Sequence, residues 1–216
     1  DDESLLKFLR ACKYDLDRAK KKLSCYYKLR ATLPQWFHNR DPNLAIIQQL
    51  LTIGVFVPLL ERDASDRLVV VIRACSHQPS RHTLDDVFKT GLMVLDLMLH
   101  QTSSVASVIG LVAIFDLQGV SIGHARQLTV ATIRNAVHSW QCYPVRVKSL
   151  DFFNTPSYVN VILNIFRRFM NPKIKERVHV HGYSLESLHK SIGKEILPTE
   201  YGGTAGDLQT LKGQFG

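Results

Sequence analysis

The chain has 216 residues, of which 45% are hydrophobic and 21% charged, a composition that is typical of a globular protein with a sizeable core. Its formal net charge of +8 indicates an anionic partner, either a nucleic acid or the surface of an anionic membrane. No apolar run reaches the ~20 residues that a membrane-spanning helix needs. The four cysteines are scattered and form no C-x-x-C pair, which argues against a disulfide framework or a structural zinc site and suits a reducing cytosol.

The first 42 residues predict a small module of two helices and a linker. Leu5–Leu9 gives the first helix an apolar face, and Asp15 is placed to cap the N-terminus of the second helix. The second helix mixes apolar with basic residues, and its run Lys20–Lys22 is most simply a solvated face. Trp36 and Phe37 anchor the linker that leads into the rest of the chain.

Residues 43–216 predict a second domain of the α/β class. We expect strands at 55–61, 67–75, 109–117, 145–153 and 177–180, and helices at 43–53, 84–102, 124–142 and 184–192. The second of these strands is almost continuously apolar, which is typical of a strand that is buried on both faces. Strands that alternate with helices predict a mostly parallel sheet covered by helices.

The most informative stretch, 143–177, contains a strand, a break and a helix of unusual composition. The break is Asn154–Pro156, and proline favours the first turn of the helix that follows. The polar residues of this helix form one narrow stripe: Asn160, Asn164, Arg167 and Asn171. The remainder of the helix is apolar, which is more apolar surface than packing on a core requires.

This helix, residues 157–170, allows two interpretations. It is either a core helix that is buried on all sides, or a lid over an apolar pocket whose outer face touches a membrane. The basic residues around it favour the lid, because an apolar helix surrounded by Lys and Arg suits an anionic membrane surface. They are Arg146, Lys148, Arg167, Arg168, Lys173, Lys175 and Arg177. A nucleic-acid site more often interleaves aromatic and basic residues, so we expect no nucleic-acid partner.

Signatures of catalysis are absent from the sequence. It has no G-x-S-x-G nucleophile elbow, no G-x-G-x-x-G fingerprint and no P-loop. His179 and His181 are placed to share one face of a strand, but no third or fourth metal ligand lies near them in the sequence. We therefore predict no catalytic residues, no metal site and no cofactor, and hence a protein that is not an enzyme.

Four segments of the chain resemble the CRAL-TRIO lipid-transfer family, and in particular its tocopherol transfer and retinaldehyde-binding group. They are LLKFLRACKYDLDRAKKKL at 5–23, YPVRVKSLDFFNTP at 143–156, NPKIKERVHVHG at 171–182 and LPTEYGG at 197–203. The resemblance spans almost the whole chain in the right order. It implies a small N-terminal helical module followed by a three-layer α/β/α domain, with a gate helix over an apolar cavity. It also implies that Asp116 and Gly119 shape a turn at the end of a strand.

The resemblance further implies that the protein binds a single hydrophobic lipid, such as tocopherol, a retinoid or a similar isoprenoid, and transfers it between membranes. The expected lipid-binding residues are Phe115, Val137, Val145, Leu150, Val159, Ile162, Ile165, Phe166 and Phe169. The expected phosphoinositide-binding residues are Lys21, Arg146, Lys148, Lys173 and Arg177. The protein is then a cytoplasmic monomer that associates peripherally with membranes containing phosphoinositides.

Two points stay open in the sequence. Strand alternation places Leu150 on the same face as Arg146 and Lys148, not on the face of Val145, so both can reach the cavity only if the strand bulges. The alternative function is a lipid-gated regulatory or scaffold domain that binds a phospholipid or phosphoinositide without net transfer.

Overall fold

The computed structural model describes residues 2–101 and 107–212. Three helices open the chain: α1 (Asp2–Ala11), α2 (Leu16–Thr32) and α3 (Pro34–Phe37). The side chain of Asp15 accepts a hydrogen bond from the backbone N–H of Arg18 at 3.0 Å, which confirms the predicted N-cap of α2.

An α/β arrangement follows, with strands that alternate with helices for most of its length. Its strands are β1 (Phe56–Pro58), β2 (Leu68–Arg73), β3 (Leu111–Asp116), β4 (Val147–Phe153) and β5 (Val178–Gly182). Its helices are α4 (Ala45–Ile53), α5 (Leu84–Gln101), α6 (Ile122–Gln127), α7 (Val130–Cys142), α8 (Val159–Phe169), α9 (Pro172–Lys175), α10 (Leu185–Ser191) and α11 (Leu208–Lys212). Two 3₁₀ turns, Lys194–Ile196 and Thr199–Tyr201, precede the last helix.

The five strands form one sheet in the order β1-β2-β3-β4-β5. β1 runs antiparallel to β2, and the other neighbours are parallel, which confirms the predicted mostly parallel sheet. A short connection of nine residues joins β1 to β2, and such a connection permits only the antiparallel pairing. The parallel strands need long crossovers, which the helices supply.

Alternate residues of the strands enter two separate cores, so the domain has three layers. On one side Val70, Ala113 and Phe152 share a cluster with residues of α5, α7 and α8. On the other side Val71 and Ile114 share a cluster with residues of α10 and the C-terminal turns. The N-terminal helices lie on the first side, because Trp36 of α3 stacks on Phe88 of α5 with ring centroids 4.4 Å apart. The predicted three-layer α/β/α class is therefore confirmed.

Two predicted elements differ from the structure. The single helix expected at 124–142 is broken into α6 and α7, because the side chain of Thr129 accepts a hydrogen bond from Thr132 N and starts a new helix. The strand expected from Val145 begins two residues later, at Val147.

Asp116 at the end of β3 is a structural residue that ties together three distant segments. Its carboxylate accepts hydrogen bonds from the Tyr201 hydroxyl at 2.8 Å, from the Asn154 amide at 2.8 Å and from the backbone N–H of Gln118 at 2.9 Å. It therefore joins the turn after β3, the turn after β4 and the C-terminal LPTEYGG segment.

His181 is likewise a hydrogen-bonded residue of the interior. Its Nε2 lies 2.8 Å from Asp151 Oδ1, and its Nδ1 lies 2.8 Å from Ser187 Oγ. Ser191 Oγ also donates to Asp151 Oδ1 at 2.7 Å. His179 is exposed instead of sharing this environment, although it pairs with Asp151 in the sheet.

The cysteines differ from the sequence expectation. Cys25 and Cys142 are joined by a disulfide bond, whereas Cys12 and Cys75 are free. The two bonded residues lie 117 positions apart, so their spacing carries no signal, and only the packing of α2 against α7 brings them together. Within residues 2–101 and 107–212, no helix combines the length and hydrophobicity that crossing a bilayer requires.

Candidate functional site

An apolar cavity of about 260 Å³ lies between the sheet and the helices α5, α7 and α8. The strands supply its floor through residues that share one face: Val70, Ile72, Ala113, Phe115, Leu150 and Phe152. Helix α5 supplies a wall, and α8 closes the opposite side with Ile162, Leu163 and Phe166. No Asp, Glu, Lys or Arg is among the described residues that line it. Such a lining suits an apolar molecule, because an unpaired charge beside it would cost several kcal/mol.

A bulge in β4 places both halves of that strand on the cavity. Leu111 of β3 pairs with Val147, but Val112 pairs with Ser149, so Lys148 is an extra residue in the ladder. Val145, Val147 and Leu150 consequently all line the cavity, which resolves the conflict of strand faces noted in the sequence.

Gly110 leaves space for this bulge. Its φ is +132°, a backbone conformation that residues with a side chain rarely adopt. An added Cβ would lie 2.6 Å from the carbonyl oxygen of Arg146. The carbonyl is needed there, since it accepts a hydrogen bond from Leu111 N at 2.9 Å.

The structure places six of the nine expected lipid contacts on the cavity. They are Phe115, Val145, Leu150, Val159, Ile162 and Phe166. Val137 is fully buried in the core beside the cavity without lining it. Ile165 and Phe169 on α8 are partly buried and also lie outside the lining.

Sequence reasoning missed the wall that α5 contributes and the aromatic side chain of Trp140. Leu92, Leu95 and Met98 of α5 line the cavity, and their spacing of three residues was the signal that could have indicated a shared face. Trp140 stacks on Phe166 of α8 with centroids 5.9 Å apart, so an aromatic contact closes the cavity between α7 and α8.

The outer surface of helix α8 is mainly polar, but it includes one exposed apolar residue. Val159 and Leu163 are buried, whereas Val161 is 66% exposed and the preceding Tyr158 is 50% exposed. The helix is therefore not buried on all sides. It covers the cavity with one face and presents a mainly polar face, with Val161, to the outside.

A second pocket, of about 300 Å³, is strongly basic. Seven basic residues line it: Lys13, Arg18, Lys22, Arg146, Lys148, Lys173 and Arg177. No acidic residue is among its lining in the described chain. We call it the basic pocket. Four of the five expected phosphoinositide contacts are in it, but Lys21 is exposed outside it and the neighbouring Lys22 takes that place.

The positive charges in the basic pocket are crowded. The pKa of Lys148 is lowered by burial and then by the charges of Arg177 and Arg146, and the pKa of Lys173 is lowered by burial and by Arg177. Burial is also the main reason that the pKa of Lys22 falls to about 8. A bound anion would relieve this repulsion, because opposite charge stabilises the protonated forms.

Two of the three arginines of the pocket are held in place by backbone carbonyl groups. The guanidinium of Arg146 donates to the carbonyl oxygens of Arg10 and of Val108, and that of Arg177 donates to the carbonyl oxygen of Val147. Arg146 therefore connects the end of α1 to the segment that leads into β4. These contacts hold Arg146 and Arg177 in place, and a hydrogen bond to the Gln141 carbonyl oxygen holds Lys22.

The apolar cavity and the basic pocket are adjacent. Trp140, Val145 and Val147 line both of them, so these three side chains form the partition between the two spaces. An apolar compartment thus lies directly behind a cationic surface, and the helix that covers the compartment exposes an apolar residue.

The CRAL/TRIO domain profile matches residues 54–203, and the profile of a Pinta-like UBA domain matches residues 1–47. The human alpha-tocopherol transfer protein-like protein is 33% identical over 211 residues, which is 97% of this chain and 60% of that protein. Clavesin-2 from Rattus norvegicus is 32% identical over 204 residues, covering 94% of this chain and 62% of the relative. The chain thus spans about three fifths of the length of these curated relatives.

Among solved structures, the crystal structure of Sfh5 has a TM-score of 0.59 and 15% sequence identity, covering 94% of this chain and 71% of that one. At this identity the likeness concerns the fold alone. The sequence match over 54–203 accounts for the sheet, the cavity and most of the basic pocket. The chain belongs to the CRAL/TRIO domain family.

Proposed function

We propose that this protein binds one hydrophobic lipid in the apolar cavity and transfers it between membranes, docking on phosphoinositides through the basic pocket. The observation that carries the proposal is the adjacency of the two spaces across Trp140, Val145 and Val147. A single approach to an anionic membrane would bring both the docking surface and the lipid exit to the bilayer. The name of the tocopherol transfer-like relatives supports tocopherol, and the proposal includes a retinoid or a similar isoprenoid in the same ligand class.

The energetics explain why a membrane is needed for release. Burying ~400 Å² of apolar lipid surface stabilises the complex by about 10 kcal/mol at ~25 cal/mol per Å². Exit into water would have to overcome most of that free energy, whereas exit into a bilayer would not. The outward apolar residues Val161 and Tyr158 suit insertion into the membrane interface, where α8 can move away from the cavity.

Docking rests on the collected charge of the basic pocket. Each Lys or Arg near an anionic membrane contributes about 1 kcal/mol, and the contribution falls with ionic strength. A phosphoinositide offers several phosphate oxygens to charge-assisted hydrogen bonds, so it gains more from seven converging donors than a singly charged lipid does. Lys13, Arg18 and Lys22 come from the first 42 residues, so in this proposal the helical module at 1–42 and the lipid-binding domain at 43–216 share the docking site.

The proposed protein is a cytoplasmic, non-catalytic monomer. The test measures the transfer of α-tocopherol from donor to acceptor vesicles of phosphatidylcholine, with and without phosphatidylinositol bisphosphate in the acceptor. We expect transfer above the spontaneous rate, faster toward the phosphoinositide vesicles. Ala113→Leu, which fills the floor of the cavity, should abolish the transfer while the protein stays folded.

Charge variants separate docking from lipid binding. Lys22→Gln with Lys173→Gln removes two charges from the basic pocket and should weaken vesicle binding by about 2 kcal/mol at low salt. Lys21→Gln with Lys175→Gln removes the same charge outside the pocket and serves as the matched control. Binding of a phospholipid or phosphoinositide without accelerated transfer would support the lipid-gated regulatory domain instead, and absence of binding of tocopherol, a retinoid and a phospholipid alike would contradict both functions.

A further inference from the structure

The disulfide bond joins two parts of the molecule that differ in their place in the fold. Cys25 lies in the middle of α2, and Cys142 is the last residue of α7 in the α/β part, with Cα atoms 5.4 Å apart. The bond thus fastens an N-terminal helix to the helix that forms one wall of the cavity.

An imidazole lies against both sulfurs. His138 Nε2 is 3.6 Å from Cys25 Sγ and 3.5 Å from Cys142 Sγ, and His138 is one turn before Cys142 on α7. The exposure of the three residues is graded: His138 is exposed, Cys25 is partly exposed and Cys142 is fully buried. An external thiol can therefore reach the sulfur of Cys25 but not that of Cys142.

We propose that Cys25, Cys142 and His138 form a reversible thiol–disulfide site that fastens α2 to α7 and so sets the shape of the basic pocket. The co-reactant is a low-molecular-weight thiol of the glutathione class. Its thiolate attacks Cys25 Sγ and forms a mixed disulfide, while the bond to Cys142 breaks and that sulfur leaves as a thiolate beside the His138 N–H. A second thiolate then releases Cys25, so two small thiols become one small disulfide and the protein gains two thiols.

The site is coupled to the basic pocket through neighbouring residues on the same two helices. Lys22 lies one turn before Cys25 on α2, and Gln141 directly precedes Cys142 on α7. The Lys22 ammonium donates to the Gln141 carbonyl oxygen at 2.5 Å, and both residues line the basic pocket. The disulfide therefore holds α2 against α7 at the place where Lys22 enters the pocket. After reduction, only non-covalent contacts hold the two helices together there.

The readout on membranes rests on the function proposed above, so the experiment includes a measurement that does not. Protein is prepared oxidised with glutathione disulfide or reduced with dithiothreitol, both with EDTA, and a second reduced sample is prepared without EDTA. Alkylation after unfolding, followed by mass spectrometry, counts the free thiols. Thermal unfolding and binding to phosphatidylinositol bisphosphate vesicles are then measured on both forms.

We expect the oxidised protein to melt several degrees higher and to bind the vesicles at least threefold more tightly. Cys25→Ser and Cys142→Ser should have the melting temperature and vesicle affinity of the reduced protein under both redox treatments. Cys75→Ser should respond to the treatments as the unaltered chain does. His138→Ala should form the same bond but reduce more slowly, because the leaving thiolate loses its neighbouring donor.

Three results would overturn the inference. One is four free thiols after oxidation. Another is a melting temperature that does not change with the redox state, or an unchanged vesicle affinity in a protein that does prefer phosphoinositide vesicles. The third is a reduced protein that keeps the oxidised properties without EDTA and loses them with it, which would assign the same three side chains to a metal ion. Absence of any phosphoinositide preference in both forms would instead contradict the docking function, and the melting difference would still decide whether the bond fastens α2.

Discussion

The two faces of the sheet carry the same kinds of side chain but use them differently. On one face Val71 and Ile114 pack against Leu188 and Leu197, and none of these four is measurably exposed. On the other face the alternate residues of the same strands surround a cavity of about 260 Å³. We call the first face the closed face and the second the open face. Packing on the closed face stabilises the fold, so the apolar surface of the open face remains available to a ligand.

The closed face also contains the buried polar contacts that fix the strand ends. Asp116 joins β3 to the C-terminal third of the chain, and Asp151 joins β4 to it, each through hydrogen bonds. Buried polar groups that are hydrogen-bonded specify one arrangement of their neighbours, whereas apolar contacts tolerate repacking. The two faces therefore differ in rigidity as well as in packing.

The largest loss of stability should follow truncation of a leucine on the closed face. Truncation of an isoleucine on the open face is the matched comparison. Leu188→Ala on the closed face should lower the free energy of unfolding by about 3 kcal/mol, because it opens a cavity in a filled core. Ile162→Ala, which only enlarges an existing cavity, should cost less than about 1 kcal/mol. Urea denaturation of the ligand-free protein measures both, and equal losses would contradict the distinction between the faces.

The closed face should also show the stronger dependence on acid. Burial opposes ionisation of Asp151, but the hydrogen bonds from His181 and Ser191 outweigh it and hold the pKa of this carboxyl below its usual value. A lowered pKa in the folded state stabilises the protein above the unfolded-state pKa of about 4, and that stability is lost as the pH falls through the folded-state value. Asp151→Asn should cost about 2 kcal/mol at neutral pH.

The pH profile of the Asp151→Asn variant supplies the control. The unaltered protein should lose stability more steeply than the variant below about pH 4, since only the carboxylate takes up a proton there. Parallel profiles of unfolding free energy against pH would show that Asp151 does not hold the lowered pKa. Asp207 provides a comparison on the surface, because backbone N–H groups lower its pKa without burial, and Asp207→Asn should change the profile little.

Much of this architecture was predictable because its signals are local. Apolar runs predicted β2 and β3, and alternation predicted β4. Asp15 predicted the start of α2, and Pro156 predicted a helix soon after β4. The bulge at Lys148 was not predictable from periodicity alone, since one inserted residue changes the face of every residue that follows. The disulfide escaped prediction for a related reason, because Cys25 and Cys142 meet only through the packing of two helices.

On the open face, two phenylalanines of α8 differ in their position relative to the cavity. Phe166 lines the cavity and stacks on Trp140, whereas Phe169, one turn later on α8, lies outside the lining. Phe166→Ala should raise the rate of lipid release about tenfold, because it removes a contact between the cover and the ligand, and Phe169→Ala should change it less. Both should cost only about 1 kcal/mol of stability, since a cover is less tightly packed than a core.

Release of bound α-tocopherol into excess vesicles, followed by its fluorescence, measures that difference, and thermal unfolding of the same samples supplies the control. If both variants unfold below the temperature of the assay, α8 belongs to the core, and the open face is not less tightly packed than the closed face. If Phe169→Ala is the faster of the two, the covering face of α8 has been assigned to the wrong residues.

Lys22 shows where sequence reasoning about the charged site reached its limit. A run of three lysines on a helix indicates a basic surface but leaves open which member turns inward, and the resemblance selected Lys21. The structure places Lys22 in the basic pocket, because its ammonium reaches the Gln141 carbonyl on α7. The helical phase of α2 is set by that tertiary contact and cannot be read from the run itself.

The smallest expected effect follows from the same residue and concerns pH. Burial lowers the pKa of Lys22 to about 8, so raising the pH from 7 to 9 should discharge it while the arginines of the basic pocket stay charged. Vesicle binding should therefore weaken over that range by up to about 1 kcal/mol, the contribution of one charge near the membrane. Lys22→Arg should remove this dependence, because a guanidinium keeps its proton, whereas Lys21→Arg should leave it intact. A dependence that persists in Lys22→Arg would assign the titration to another group, and the absence of any dependence would show that Lys22 does not contribute to docking.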